Sequence, residues 1–189
     1  GNNCITNVAK FCNIHNGIKK TVLLIGDSHS GDFLNEFKNH AQQNNLDARQ
    51  LSMGGCSFSP VTFKANSGQC ENATKLLQEL VDEKKISVLI FVTNFYQHIE
   101  LLGENEAKEN LLFISELFES ALSKDIDVVY FSPRPNLTMD LGRTAMANRL
   151  SNIKLQQENY QSLVRSHLKK YLEPLGLKIY DQRNILLDA

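Results

Sequence analysis

The sequence lacks an excess of charge of either sign, and it lacks any long apolar run. Its 189 residues include 20 Lys and Arg against 21 Asp and Glu, so the formal net charge is −1. This balance excludes the basic surface that binds nucleic acid and the polybasic patch that binds anionic lipid. No window approaches the roughly 18 apolar residues of a membrane span, and no apolar stretch near the amino terminus predicts a signal peptide. The length and the ordinary composition predict one globular domain, residues 1–189.

The four cysteines are not spaced as metal ligands. No Cys-x-x-Cys pair occurs and the five histidines are scattered, so we expect no zinc site, and nothing in the sequence predicts a cofactor. Four cysteines allow three disulfide pairings. We predict the pairs Cys4–Cys12 and Cys56–Cys70, because each brackets a stretch without a regular pattern. Such bonds would place the domain in an oxidising compartment, whereas four buried free thiols are the alternative.

Apolar strand-like runs alternate with amphipathic helix-like runs along the chain. Strands are predicted at 21–26, 48–53, 87–94, 127–132 and 177–181, and helices at 31–45, 71–85, 105–125 and 151–176. The run at 87–94 is apolar on both faces, as in a central parallel strand. The alternation predicts an α/β fold of the flavodoxin-like kind: a three-layer α/β/α sandwich around a parallel sheet of about five strands. We expect the first 18 residues to be an irregular lead-in.

Polar and glycine residues follow the predicted strands at the points where the strands end. They lie at 26–29, 54–56, 93–96, 133–136 and 181. Binding sites in such sheets form beyond the carboxyl ends of the strands. We therefore expect these residues to lie along one edge of the sheet.

Ser28 is the leading candidate for a reactive group. It falls between a strand and a helix, where the helix dipole and free N–H groups favour a developing negative charge. Its own N–H can donate to an oxyanion, and Gly26 permits the tight backbone of the turn. The alternative is that Ser28 or Ser30 is only the N-cap of the helix, a position that serine favours.

The sequence Gly-Asp-Ser at 26–28 resembles block I of the SGNH (GDSL-like) hydrolase superfamily. With His29 added, it is similar to the extracytoplasmic SGNH domain fused to family-three integral-membrane acyltransferases, which O-acetylate polysaccharides. Gly55-Cys56 resembles block II and Asn94 resembles block III of that family. The resemblance extends over about residues 20–181.

The resemblance implies a role for each of these residues. Ser28 would be the nucleophile that takes the acyl group. The oxyanion hole would consist of the backbone N–H groups of Ser28 and Gly55 and the side-chain amide of Asn94. Asp27 would order the turn by accepting backbone N–H bonds, and His29 would pack or hydrogen-bond beside it.

Two features depart from the family pattern. Block III usually reads Gly-x-Asn, whereas Val92 stands in place of its glycine. No Asp-x-x-His occurs in the chain, and a serine hydroxyl is a weak nucleophile without a base. Three explanations compete: a fragment that ends before its final block, His98 as a substitute base, or a module without catalysis. We expect the other candidates, His40 and His167, to be solvated.

The leading hypothesis is serine-dependent O-acetyl transfer to a cell-surface polysaccharide. The chain would be a C-terminal fragment of a larger membrane acyltransferase, tethered in the periplasm or on the outer face of the cytoplasmic membrane. The membrane domain of the same protein would deliver the acyl donor. A carbohydrate O-acetyl esterase would use the same residues with water as the acceptor, and a non-catalytic glycan-binding SGNH module is the third hypothesis.

Overall fold

The computed structural model describes residues 11–59, 67–93, 103–132 and 166–181. Six strands form one sheet: β1 (Cys12–His15), β2 (Thr21–Gly26), β3 (Asp47–Ser52), β4 (Val88–Val92), β5 (Asp127–Ser132) and β6 (Lys178–Asp181). Their spatial order is β1-β3-β2-β4-β5-β6. Neighbouring strands are parallel except β1, which is antiparallel to β3. The order places β2 and β4 in the middle of the sheet.

Helices connect the parallel strands. They are α1 (Leu34–Asn44), α2 (Ser67–Asp82) and α3 (Glu104–Ser123), with short 3-10 helices at Ser28–Phe33 and Glu173–Leu175. Residues 166–171 are also helical. Each of α1, α2 and α3 is followed within two residues by a residue with positive φ, at Asn45, Lys84 and Asp125. A left-handed residue stops a helix there and turns the chain back towards the sheet.

Side chains of β2 alternate between two separate hydrophobic cores. Val22 and Leu24 pack with Phe37 of α1 on one face of the sheet. Leu23 and Ile25 lie in the larger core on the other face, together with side chains of α2, α3 and the helical residues 166–171. Because successive strand residues point to opposite faces, this double burial requires a helical layer on each side. The predicted three-layer α/β/α sandwich is confirmed.

The sheet differs from the prediction at one edge. The first 18 residues were expected to be irregular, yet β1 pairs with β3, with a break in register between Asn13 and His15. A four-residue edge strand with half-buried and exposed side chains carries too short a pattern to be recognised without its partner. Cys12, in this strand, is disulfide-bonded, and its predicted partner Cys4 lies outside the described residues.

Two features are absent from the described ranges. No helix within them has the length and apolar character that crossing a membrane requires. No cluster of three or more His, Cys, Asp or Glu side chains within them is arranged to hold a metal ion.

Candidate active site

Two neighbouring strands, β2 and β3, bring Ser28 and Gly55 to the carboxyl edge of the sheet. Gly26, the last residue of β2, pairs with Ser52 of β3 on one side and with Val92 of β4 on the other. Ser28 follows two residues after Gly26, and Gly55 follows three residues after Ser52. The strand ladders therefore place the turns that carry Ser28 and Gly55 next to each other.

Gly26 has no room for a side chain. A β-carbon built there would lie 1.9 Å from the carbonyl oxygen of Val92 and 3.1 Å from the Cβ of Ser30. Two backbone hydrogen bonds join neighbouring strands at this position. Asp27 N–H donates to Val92 O at 3.3 Å, and Met53 N–H donates to Gly26 O at 3.1 Å. Close packing of three backbones thus requires glycine here.

The turn after β2 is ordered by Asp27 and Ser30. The buried carboxylate of Asp27 accepts the N–H of His29 at 2.8 Å and is the N-cap of the 3-10 helix. The Ser30 hydroxyl donates to the carbonyl oxygen of Asp27 at 2.7 Å. Ser28 is exposed. Since Asp27 is the cap, the interpretation of Ser28 or Ser30 as the N-cap is wrong.

Two backbone N–H groups at this edge are available to a ligand. Within the described residues, neither Ser28 nor Gly55 donates its N–H to an acceptor. Gly55 is exposed and has a φ of 69°, the left-handed conformation that glycine adopts without strain. The two groups therefore meet one requirement of an oxyanion hole, which is that its donors are not already satisfied.

A disulfide holds the loop that carries Gly55. Cys56 and Cys70 are bonded, as predicted, with their Cα atoms 5.4 Å apart. Cys56 N–H also donates to Met53 O at 3.2 Å. Because Cys70 lies in the first turns of α2, the bond ties the loop after β3 to a helix of the larger core.

Two predicted site residues, Asn94 and His98, lie outside the described residues. Their roles in the oxyanion hole and as a substitute base stay predictions. The preceding residue, Thr93, is buried, and its hydroxyl lies 3.4 Å from the hydroxyl of Tyr130. The side chain of Thr93 therefore lies on the face of the sheet that α2 and α3 cover.

The described histidines differ in their distance from this edge. His29 is half-buried within the turn itself. The Nδ1 atom of His15 is hydrogen-bonded to the carbonyl oxygen of Leu46 at 2.9 Å. Leu46 directly precedes β3, so His15 lies at the amino edge of the parallel strands, opposite Ser28. His40 is exposed on α1, as expected.

His167 was expected to be solvated, and that expectation is wrong. The residue is 8% exposed and stacks on Tyr171, with ring centroids 6.4 Å apart. Its neighbours Leu168 and Leu172 belong to the larger core. Flanking lysines suggested a solvated helix face, whereas the imidazole is buried beside Tyr171.

Sequence reasoning missed a buried polar group beneath the turn. Gln50 and Ser52 of β3 are buried together with Ser30, and their side chains are hydrogen-bonded in series. A signal was present, because two polar residues at i and i+2 of a strand share one face. On a strand that is covered on both faces, polar residues at that spacing are expected to form a hydrogen bond with each other.

The chain is similar to known proteins in its family and in its fold. A family model described as "SGNH domain (fused to AT3 domains)" matches residues 3–188. No curated protein sequence matches the chain. Among solved structures, the periplasmic domain of a lipopolysaccharide acetyltransferase from Salmonella ser. Paratyphi A aligns with a TM-score of 0.58 at 14% identity, over 89% of this chain and 67% of that one. That likeness supports the fold.

Proposed function

The chain belongs to the family of SGNH domains fused to AT3 domains, and on that premise we propose that it transfers an acetyl group to a cell-surface polysaccharide through Ser28. One observation carries the proposal. The exposed hydroxyl of Ser28 lies at the carboxyl edge of the sheet, and the N–H groups of Ser28 and Gly55 have no acceptor among the described residues.

The reaction would proceed in two halves. Ser28 Oγ attacks the carbonyl carbon of the acetyl donor, and the N–H groups of Ser28 and Gly55, with the amide of Asn94, bind the tetrahedral oxyanion. The donor leaves with a proton, and acetyl-Ser28 remains. A sugar hydroxyl then attacks this ester, and Ser28 regains its proton. Nucleophilic catalysis divides one difficult transfer into two easier ones.

Both halves need a general base near Ser28. We propose the histidine of an Asp-x-x-His block, which the family carries after the strand that corresponds to β6. His98 is the alternative within this chain. Asp27 does not compete for the role, because its carboxylate is buried as the cap of the turn.

The acetyl donor would reach Ser28 from the AT3 domain of the same protein, on the extracytoplasmic side of the membrane. The family description names that fusion. The Cys56–Cys70 disulfide supports the location, since such bonds persist in oxidising compartments.

Replacement of Ser28 tests the proposal directly. Ser28→Ala in the full-length protein should lower acetyl release from p-nitrophenyl acetate by at least about 10³-fold, because the nucleophile is lost. Ser115→Ala is the control, since that serine is buried in α3 and its hydroxyl donates to Leu112 O at 2.7 Å. Unchanged turnover in Ser28→Ala would contradict the proposal.

The acceptor decides between transferase and esterase. When a polysaccharide acceptor is added, we expect most acetyl groups from the enzyme's own donor to be recovered as esters of the polysaccharide. Free acetate at the same rate with and without acceptor would identify an esterase. Binding of polysaccharide by a protein that shows no Ser28-dependent turnover would identify a glycan-binding module.

A further inference from the structure

A series of buried hydrogen bonds runs from β3 to the turn that carries Ser28. Gln50 Nε2 donates to Ser52 Oγ at 2.8 Å, and Ser52 Oγ lies 2.5 Å from Ser30 Oγ. Ser30 Oγ in turn donates to the carbonyl oxygen of Asp27 at 2.7 Å. Gln50, Ser52 and Ser30 are each at most 1% exposed. The series is therefore isolated from solvent and ends at Asp27, the residue before the candidate nucleophile.

Counting protons fixes the direction of the series. A serine hydroxyl has one proton to donate. Ser30 donates its proton to Asp27 O, so in the bond between the two hydroxyls Ser52 must be the donor. Ser52 then accepts from the amide of Gln50. Each bond polarises the next in the same sense, towards the Asp27 carbonyl.

The Asp27 carbonyl and the Ser28 N–H belong to the same peptide unit. In a trans peptide the C=O and N–H bonds point in opposite directions, and the described chain contains no cis peptide. Asp27 O accepts both the hydroxyl and the N–H of Ser30, the latter at 3.2 Å. With the carbonyl held towards buried Ser30, the Ser28 N–H must point away from it.

From this geometry we infer that Gln50, Ser52 and Ser30 are positioning residues for the oxyanion hole. They hold the Asp27–Ser28 peptide plane so that the Ser28 N–H points to the reacting carbonyl. The inference rests on the proposed function of Ser28 and adds three residues to that site. None of the three would touch the substrate.

The far end of the series supports this assignment. Gln50 Oε1 is buried and accepts no hydrogen bond from the described residues. A buried acceptor left without a partner destabilises a fold, and an apolar side chain of similar length would avoid it. The fold keeps the amide nonetheless, which is consistent with a requirement for the donor that begins the series.

Three variants separate positioning from stability. Ser30→Ala removes the hydroxyl that holds the Asp27 carbonyl. Gln50→Met removes the first donor of the series and also the buried Oε1 atom that accepts no hydrogen bond from the described residues. The midpoint of thermal unfolding should therefore stay the same or rise. Ser115→Ala is again the control, because its buried hydroxyl also donates to a backbone carbonyl at 2.7 Å.

Kinetics with p-nitrophenyl acetate in the full-length protein give the first readout. Losing a whole oxyanion donor costs about 10²–10³-fold in kcat, so misorienting one in Ser30→Ala should cost about tenfold. KM should stay within about twofold, because a ground-state carbonyl gains little from the donor. Gln50→Met should lower kcat less, by about threefold, and Ser115→Ala should leave kcat unchanged.

Residual dipolar coupling of the Ser28 amide in the 189-residue chain gives a second readout, which needs no activity. The coupling reports the direction of the N–H bond and should change in Ser30→Ala, less in Gln50→Met and not in Ser115→Ala. An unchanged coupling in Ser30→Ala overturns the inference. A changed coupling with unchanged Ser28-dependent kcat also overturns it. Turnover that survives Ser28→Ala contradicts the proposed function instead, and the coupling still decides whether the series orients the N–H.

Discussion

The two edges of the sheet are built from different interactions. At the amino edge, exposed ion pairs join the helix ends and strand starts, as between Lys124 and Asp82 at 2.6 Å and between Lys20 and Asp127 at 3.9 Å. At the carboxyl edge, hydroxyl and amide groups are buried and hydrogen-bonded in series beneath Ser28.

Exposed ion pairs contribute about 0–1 kcal/mol to stability and hold no fixed geometry. Buried polar groups are destabilising unless every partner is in place. The amino edge can therefore vary with little consequence, whereas the carboxyl edge depends on a few backbone and side-chain positions. Chemistry therefore constrains the fold at the carboxyl edge much more than at the amino edge.

The largest effect is expected at Gly26. Gly26→Ala should lower the free energy of unfolding by more than about 3 kcal/mol, the upper end of the usual range for overpacking, because the β-carbon would meet Val92 O at 1.9 Å. Gly54→Ala, on the same edge, is the matched control, since a β-carbon there meets nothing within 4 Å. Urea unfolding midpoints measure both. Equal midpoints for the two variants would remove the argument that this edge is closely packed.

A somewhat smaller effect is expected from the disulfide. The double variant Cys56→Ala/Cys70→Ala should lose about 3 kcal/mol in the chain-entropy model for a loop of this size, as the two residues are 14 apart. Turnover should fall as well, because Gly55 would no longer be held beside the turn after β2. Urea unfolding and p-nitrophenyl acetate hydrolysis check the two parts. An unchanged midpoint would show that the loop after β3 is fixed without the bond.

The smallest effect is expected at the amino edge. Lys84 follows α2 with a φ of 50°, a conformation that costs most residues about 1–2 kcal/mol and glycine little. Lys84→Gly should therefore raise the free energy of unfolding by about 0.5 kcal/mol after the extra chain entropy of glycine. Lys84→Ala keeps the β-carbon and should change stability by less than about 0.5 kcal/mol, although it loses an exposed contact to Asp125. A large loss of unfolding free energy in either variant would show that the amino edge is as tightly constrained as the carboxyl edge.

Local pattern was enough to predict most of the sheet. The strands at 21–26 and 127–132 have the predicted bounds, and those at 48–53 and 87–94 differ by one or two residues. The strands at 21–26, 87–94 and 127–132 carry continuous apolar runs, so hydrophobicity alone identifies them. The strand at 48–53 is mixed in character, with Arg49, Gln50 and Ser52 between its apolar residues. The turn at Ser28 could be located because a polar motif followed a strand directly.

Features that depend on a distant partner could not be predicted in the same way. β1 is defined by its pairing with β3, and His167 is buried by packing that its neighbours in sequence do not reveal. Gln50 and Ser52 are polar residues in a strand, and only their contacts with Ser30 explain why they are buried. For β1 and for Ser52, a residue far along the chain supplies the compensating interaction.

The register of the central strands limits how this protein can change in length. Gly26 faces Ser52 and Val92 across the two ladders, and a one-residue slip sends every later side chain of a strand to the opposite face. A deletion inside β3 would turn Gln50 or Ser52 towards the wrong layer and shift Gly55 away from Ser28. We expect relatives to tolerate insertions in the turns at 83–87 and 124–126, and to keep the number of residues between each central strand and the groups it presents.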